Sequence, residues 1–271
     1  MRKVKRILPY LLLLTVSFVS LFPFYMMITM STFKTQEMFQ TIPLYFSGYL
    51  WENLKTVFQS NFVKSYLNSI IISVTATAGC TLISAMVGYA IVIYRFKFRN
   101  VLIKLIMLTM MVPVQLGIVG YMIEMRTLHL TGTLWPMILV WLANGFGGYW
   151  MMQYIESSLP LELVESARID GSKEFNTFFR IVFPCIRPGI ITLILLIFLW
   201  SWNSYLIPLV FVNDNRTMTI PIFIKSLGNA YMTDYAAQIT GLALATIPLL
   251  LLFIAGSKNF IRGLTAGAVK G

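Results

Sequence analysis

The chain has 271 residues, of which 58% are hydrophobic and only 11% charged, with a formal net charge of +11. Soluble domains carry about 25% charged residues, so a globule surrounded by water on all sides is excluded. One histidine and two cysteines leave no material for a His-based metal cluster or a disulfide scaffold.

In chain order, "MRKVKR" precedes an apolar run that continues to Met30. That run exceeds the roughly 7–15 residues of a signal-peptide core and no A-x-A-like site closes it, so it reads as a retained span. Six stretches approach the roughly 20 residues needed to cross a hydrocarbon core of about 30 Å. They are Pro9 to Met30, Tyr66 to Tyr94, Val101 to Ile123, Leu134 to Ile155, Gly189 to Val212 and Ala236 to Ala255. Backbone amides in lipid are satisfied within a helix or a closed barrel, and no alternating barrel pattern is present. The expected fold is an all-α polytopic membrane protein with six transmembrane helices.

Lys and Arg concentrate in cytoplasmic loops. Fifteen of the 21 basic residues, including Arg2, Lys3, Arg95, Lys97, Arg168, Lys173, Lys258 and Arg262, fall on the side that holds both termini; six, including Lys34, Arg126 and Arg216, fall on the other. Both termini and the loop after the fourth span are expected in the cytoplasm. Orientation accounts for the net charge, and no nucleic-acid partner is required. Cys80 lies in a span and Cys185 in a cytoplasmic loop, which implies no structural disulfide.

That loop, "ELVESARIDGSKEFNTFFRIVFP", lies in a stretch carrying nine charges between Glu156 and Arg187. Pro160 suits a first helical position, Glu162 and Glu165 sit early and Arg168 late, as the helix dipole favours. Gly171 suits a left-handed close, Ser172 suits a cap for the next helix, and Phe175, Phe178, Phe179 and Val182 form one apolar stripe at helical spacing. The pattern predicts a helix-turn-helix elbow whose phenylalanines fasten its second helix to the spans. A plain amphipathic surface loop would explain the phenylalanines, but not an acidic helix that ends in a glycine turn.

These residues resemble the shared cytoplasmic EAA motif of permease subunits of type I ATP-binding-cassette importers, which runs E-A-A, three residues, G, nine residues, I-x-L-P. Glu165, Ser166, Ala167, Gly171, Ile181, Phe183 and Pro184 stand at that spacing, with Ser166 in place of the middle Ala and Phe183 in place of Leu. Matching Glu, Ala, Gly, Ile and Pro at fixed spacing has a chance of about one in a million per start point. "FPFYMMITMSTFKT" at 22–35 and "FIRGLTAGAVKG" at 260–271 are similar to the carbohydrate-uptake branch, the latter to its maltose-type second permease.

The resemblance implies a multi-pass subunit of a bacterial-type plasma (inner) membrane importer that takes up a di- or oligosaccharide. It implies an N-terminal helix and external segment over 1–65, a permease core over 66–260 and a cytoplasmic tail over 261–271 that reaches between the ATPase subunits. Implied partners are a second related permease, ATPase subunits that use Mg-ATP, an extracytoplasmic sugar-binding protein and membrane lipid. No cofactor is expected on this chain. Glu162, Glu165, Ser166, Ala167, Arg168, Asp170, Gly171 and Lys173 are the expected contacts to the ATPase, and the segments 32–65 and 213–235 the expected docking surface for the binding protein.

Within the spans, Ala76, Cys80, Ser84 and Gly88 form a small-residue stripe suited to close helix packing. "WLANGFGGYW", with Asn144, Gly145, Gly147 and Gly148, suits a bend or close approach. Gln115, Asn144, Trp202, Asn203 and Gln238 are candidates for a translocation pathway. For Trp202 and Asn203, packing or membrane-belt use competes with sugar contact. Neither G-x-x-x-x-G-K-[ST] nor another Gly-rich nucleotide loop is present, so the chain is expected not to be an enzyme. A type I permease for another solute, such as a peptide, would keep the elbow but lack the sugar-branch termini. An ion-coupled carrier would need charges inside the spans, which are nearly absent.

Overall fold

A computed structural model describes residues 2–40, 42–228 and 233–266, with side chains described from Pro9 to Ser257. The helices are α1 (Arg2–Met30), α2 (Leu50–Gln59), α3 (Phe62–Ile93), α4 (Arg99–Met111), α5 (Val114–Thr127), α6 (Trp135–Leu142), α7 (Gly145–Ser158), α8 (Leu161–Ile169), α9 (Glu174–Thr177), α10 (Phe183–Cys185), α11 (Arg187–Trp202), α12 (Leu206–Phe211), α13 (Ile220–Ser226) and α14 (Tyr235–Ala266). A π-helical turn, Phe178–Val182, joins α9 to α10. The fold is all-α and polytopic, and among the described residues the single β feature is an isolated bridge between Gly228 and Thr233.

Pro9–Met30, Phe62–Ile93 and Tyr235–Ser257 are each long and apolar enough to cross a membrane alone. The other expected spans are broken. α4 and α5 meet at 101°, because Pro113 disfavours the α conformation at the residue before it and Val112 is extended, with φ −88° and ψ 118°. The fourth expected span is two helices, of 8 and 14 residues. Asn144 leaves helical geometry at φ −77° and ψ 114°, and its Oδ1 accepts the Gly147 N–H at 3.1 Å, an N-cap that starts a new helix. The fifth is interrupted at Asn203–Tyr205, between α11 and α12. The expected tail 261–271 is helical to Ala266, and residues 267–271 lie outside the described residues.

Two compact units are present. One comprises residues 1–66 and 220–247, the other 67–219 and 248–271. In the first, Phe33, Met38 and Ala236 form a small core. The Asn53 amide donates to the carbonyls of Ser31 and Phe33, both at 2.8 Å, and Thr35 donates to Asp234 Oδ1 at 2.8 Å. Gln238 Nε2 donates to the carbonyls of Lys225 and Leu227 at 3.2 Å. The expected external segments are thus pinned to helix ends by side-chain amides and hydroxyls.

In the second unit, the core joins Cys80, Ala85 and Tyr89 of α3 to Met151, Tyr154 and Ile155 of α7, Val164 of α8, Phe178 and Val182 of the π turn, and Ile190, Leu193 and Ile197 of α11. The small-residue stripe makes this possible: a Cβ on Gly88 would stand 2.7 Å from the backbone of Met151 and Met152, so α3 and α7 cross with almost no side chain between them. A second cluster joins Ile72, Met125, Met137, Ile138, Ile207 and Phe211.

Candidate functional site

The elbow forms between α8 and α9. Pro160 is the residue before α8, at ψ 121°, one position earlier than expected. Gly171 closes α8 at φ +77°. Ser172 N–H donates to Ala167 O at 2.9 Å and Gly171 N–H to Arg168 O at 3.0 Å, the paired bonds of a Schellman close. A Cβ at Gly171 would meet nothing within 4 Å, so the demand for glycine here is one of backbone conformation alone.

Ser172 does not cap the next helix. Lys173 stands in the cap position without a side-chain bond, and the Ser172 hydroxyl instead accepts from Thr177 Oγ1 at 3.0 Å. The apolar stripe is also divided. Phe178 and Val182 enter the core and Phe179 packs partly against it, whereas Phe175 is 70% exposed. The π turn widens the helix by one residue per turn and rotates the early positions away from the core.

α8 buries Val164 and Ala167 and presents Glu162, Glu165, Ser166, Asp170 and Lys173 of the following turn outward. Beside them, Ile169 is 86% exposed. Ile169, which the motif does not include, and Phe175, expected to fasten the elbow to the spans, thus make the elbow's surface partly apolar. Exposed aromatic and branched apolar side chains ringed by charge are a feature of contact surfaces.

Glu174 ties the elbow to α3. Its carboxylate accepts from Arg168 Nε at 2.8 Å and from the Tyr89 hydroxyl at 2.9 Å, and the Arg168 guanidinium lies 5.5 Å from the centre of the Tyr94 ring. Hydrogen bonds from Tyr94 and Arg168 hold the Glu174 carboxyl below the usual carboxylate range, and its bond to Glu174 raises Arg168. Arg168 is therefore engaged inside the elbow. Under α8 lies a cavity of about 350 Å³ bordered by Arg95, Arg99, Glu156, Glu165 and Arg168.

The pathway candidates separate. Gln115 and Asn144 come together on a cavity of about 260 Å³ with Trp141, Trp200, Ser204 and Tyr205. Trp202 is 2% exposed, stacked on Phe198 with ring centres 5.7 Å apart. Asn203 Nδ2 donates to Leu199 O of its own helix at 2.9 Å. Gln238 holds the 225–227 segment in the other unit.

Residues 80–265 match the family described as binding-protein-dependent transport system inner membrane component. The chain belongs to this family. Family members similar to it include the arabinooligosaccharides transport system permease protein AraQ of Bacillus subtilis (strain 168), 34% identical over 212 residues that cover 78% of this chain and 75% of the relative. The lactose transport system permease protein LacG of Rhizobium radiobacter is 32% identical over 270 residues, 99% of this chain and 98% of the relative. The sn-glycerol-3-phosphate permease protein UgpE of Pectobacterium atrosepticum is 30% identical over 254 residues, 90% of each chain. A chain in the crystal structure of a bacterial ABC transporter involved in import of the acidic polysaccharide alginate shares the fold. Its TM-score is 0.80 at 20% identity, over 95% of this chain and 97% of that chain.

Proposed function

We propose that this family member is the membrane subunit of an ATP-driven, binding-protein-dependent importer of a neutral di- or oligosaccharide. Its elbow receives the motion of a separate ATPase subunit that binds and hydrolyses Mg-ATP. The observation that carries the coupling role is the Schellman-closed turn at Gly171 bonded through Glu174 to α3. A rigid knob fastened to a span transmits displacement, whereas a loop lying loosely on the bilayer would absorb it.

In this reading Glu162, Glu165, Ser166, Asp170 and Lys173 make the polar contacts and Ile169 and Phe175 the apolar ones. Six crossings, with α6 and α7 together as the fourth, keep both termini and the elbow in the cytoplasm. A second related permease completes the pathway, and the segments 32–65 and 213–235 face the sugar-binding protein. The sugar branch is supported by the similarity to arabinooligosaccharide and lactose permeases across most of the chain, and a peptide permease is not favoured.

Reconstitution with the partner permease, ATPase and binding protein tests this. ATP-dependent accumulation of a labelled disaccharide, together with cross-linking of Ile169→Cys to the ATPase, is expected. ATP-dependent accumulation of peptides alone would refute the substrate class, and absence of any elbow cross-link would refute the coupling surface.

A further inference from the structure

Three helix breaks converge on one cavity. The 101° bend at Val112–Pro113 precedes Gln115, the α6–α7 break places Asn144, and the α11–α12 break places Ser204 and Tyr205, all on the rim of the space of about 260 Å³. Non-helical backbone within a membrane protein persists only where it is buried in protein or lines a hydrated space. Discontinuous helices that meet at one point are a recurring way to build a solute site.

The side chains there are chemically uncommitted. Among the described residues the Gln115 amide, the indole N–H groups of Trp141 and Trp200 and the Tyr205 hydroxyl make no hydrogen bond, and Asn144 uses its Oδ1 to cap α7 while its Nδ2 has no partner. Gln115 is also exposed on a helix otherwise rich in Val, Leu and Ile, a costly placement against lipid. No charged side chain lines the cavity. Its volume lies just under the roughly 300–1,000 Å³ of sites for drug-sized ligands.

We propose that this cavity is a subsite on this subunit for one ring of a neutral saccharide in transit. Trp200 and Tyr205 offer aromatic faces to the ring's C–H surface, and Gln115 and Asn144 offer amides to its hydroxyls. The absence of a cation in the lining argues against a phosphorylated or acidic solute, which would carry an uncompensated charge into this space. The proposal rests on the reading of the chain as a saccharide importer subunit and adds a contact surface within it.

The reconstituted importer is offered labelled lactose, arabinobiose, diacetylchitobiose and sn-glycerol-3-phosphate, and then the full set of monodeoxy analogues of whichever neutral sugar accumulates. Gln115→Leu and Tyr205→Phe are compared with wild type, with assembly checked by yield of the purified complex. Uptake of the parent sugar is expected to fall about tenfold in a variant, the loss of one hydrogen bond to an orphaned hydroxyl, while the analogue lacking that hydroxyl is transported equally by variant and wild type. A uniform loss across all analogues, or no loss, overturns the subsite and leaves the importer reading intact. Wild-type accumulation of sn-glycerol-3-phosphate with no neutral sugar overturns the substrate class and the subsite together. Tyr205→Phe removes a single oxygen, and it decides the matter if Gln115→Leu fails to assemble.

Discussion

Replacing Glu174 by Ala removes the acceptor shared by Arg168 and Tyr89. The ion pair itself contributes little, since the Arg168 and Glu174 side chains are 38% and 46% exposed and exposed pairs are worth roughly 0.2–1 kcal/mol. Tyr89 is different, being 6% exposed; a buried hydroxyl left without its acceptor costs about 1–3 kcal/mol. Together these give about 2 kcal/mol, or about 30-fold in the equilibrium between docked and undocked elbow. In the reconstituted importer, solute transported per ATP hydrolysed should fall several-fold in Glu174→Ala. Glu174→Gln keeps an acceptor and should fall in between. Tyr89→Phe should add little in the Glu174→Ala background, because the two changes break the same bond. A wild-type transport-to-hydrolysis ratio in an intact Glu174→Ala complex would refute the idea that this contact makes the elbow rigid.

Gly171→Val should cost about 1–2 kcal/mol of backbone strain at φ +77° and depress uptake at normal membrane abundance; Gly171→Asn, which tolerates that conformation, should retain most uptake. With Cys80 and Cys185 replaced, a cysteine at Asn213 should react with an impermeant thiol reagent outside intact cells and one at Ser172 should not; the reverse labelling would invert the orientation. Trp202→Ala should lose about 3–5 kcal/mol of stability as a buried ring is deleted, lowering the yield of complex and the uptake of every sugar by the same factor. A loss confined to one sugar would place Trp202 at the solute. Because the folded Glu174 carboxyl lies below its ordinary range, its stabilisation is complete above the unfolded value near 4.3 and fades as pH falls through the folded one. The Glu174→Ala defect should therefore be constant from about pH 6 to 8 and shrink only in stronger acid, as read by elbow protection in hydrogen exchange.

The turn at Gly171 was legible because a left-handed residue between two amphipathic segments leaves glycine as the natural choice, and the motif spacing agreed. The long apolar helices α1, α3 and α14 were legible from hydropathy. Directions were not. Hydropathy sums cannot register the bend at Pro113, since both arms are apolar, whereas the break at Asn144 was legible, because Asn144 and the glycines after it suit a bend, and the asparagine makes it by capping α7. The second helix of the elbow was read with a 3.6-residue period, which the π turn at Phe178–Val182 does not keep, so Phe175 points away from the core. Glu174 went unnoticed because its partner Tyr89 lies 85 residues earlier, and no local pattern signals such a pairing. For the same reason Gln115 and Asn144 could be named one by one but not placed on a common cavity.

One helix touches both regions. α7 starts at Asn144, on the rim of the cavity of about 260 Å³, and its last turns supply Glu156 and, just beyond, Leu159 to the floor beneath α8. Fourteen residues at 1.5 Å each make a rod of about 21 Å, held along its length by the close crossing at Gly88. A short stiff rod cannot shift at one end alone. Displacing its C-terminal end would also move the amide that caps its start, which would link the space beside Asn144 to the floor beneath α8 with no flexible relay between them.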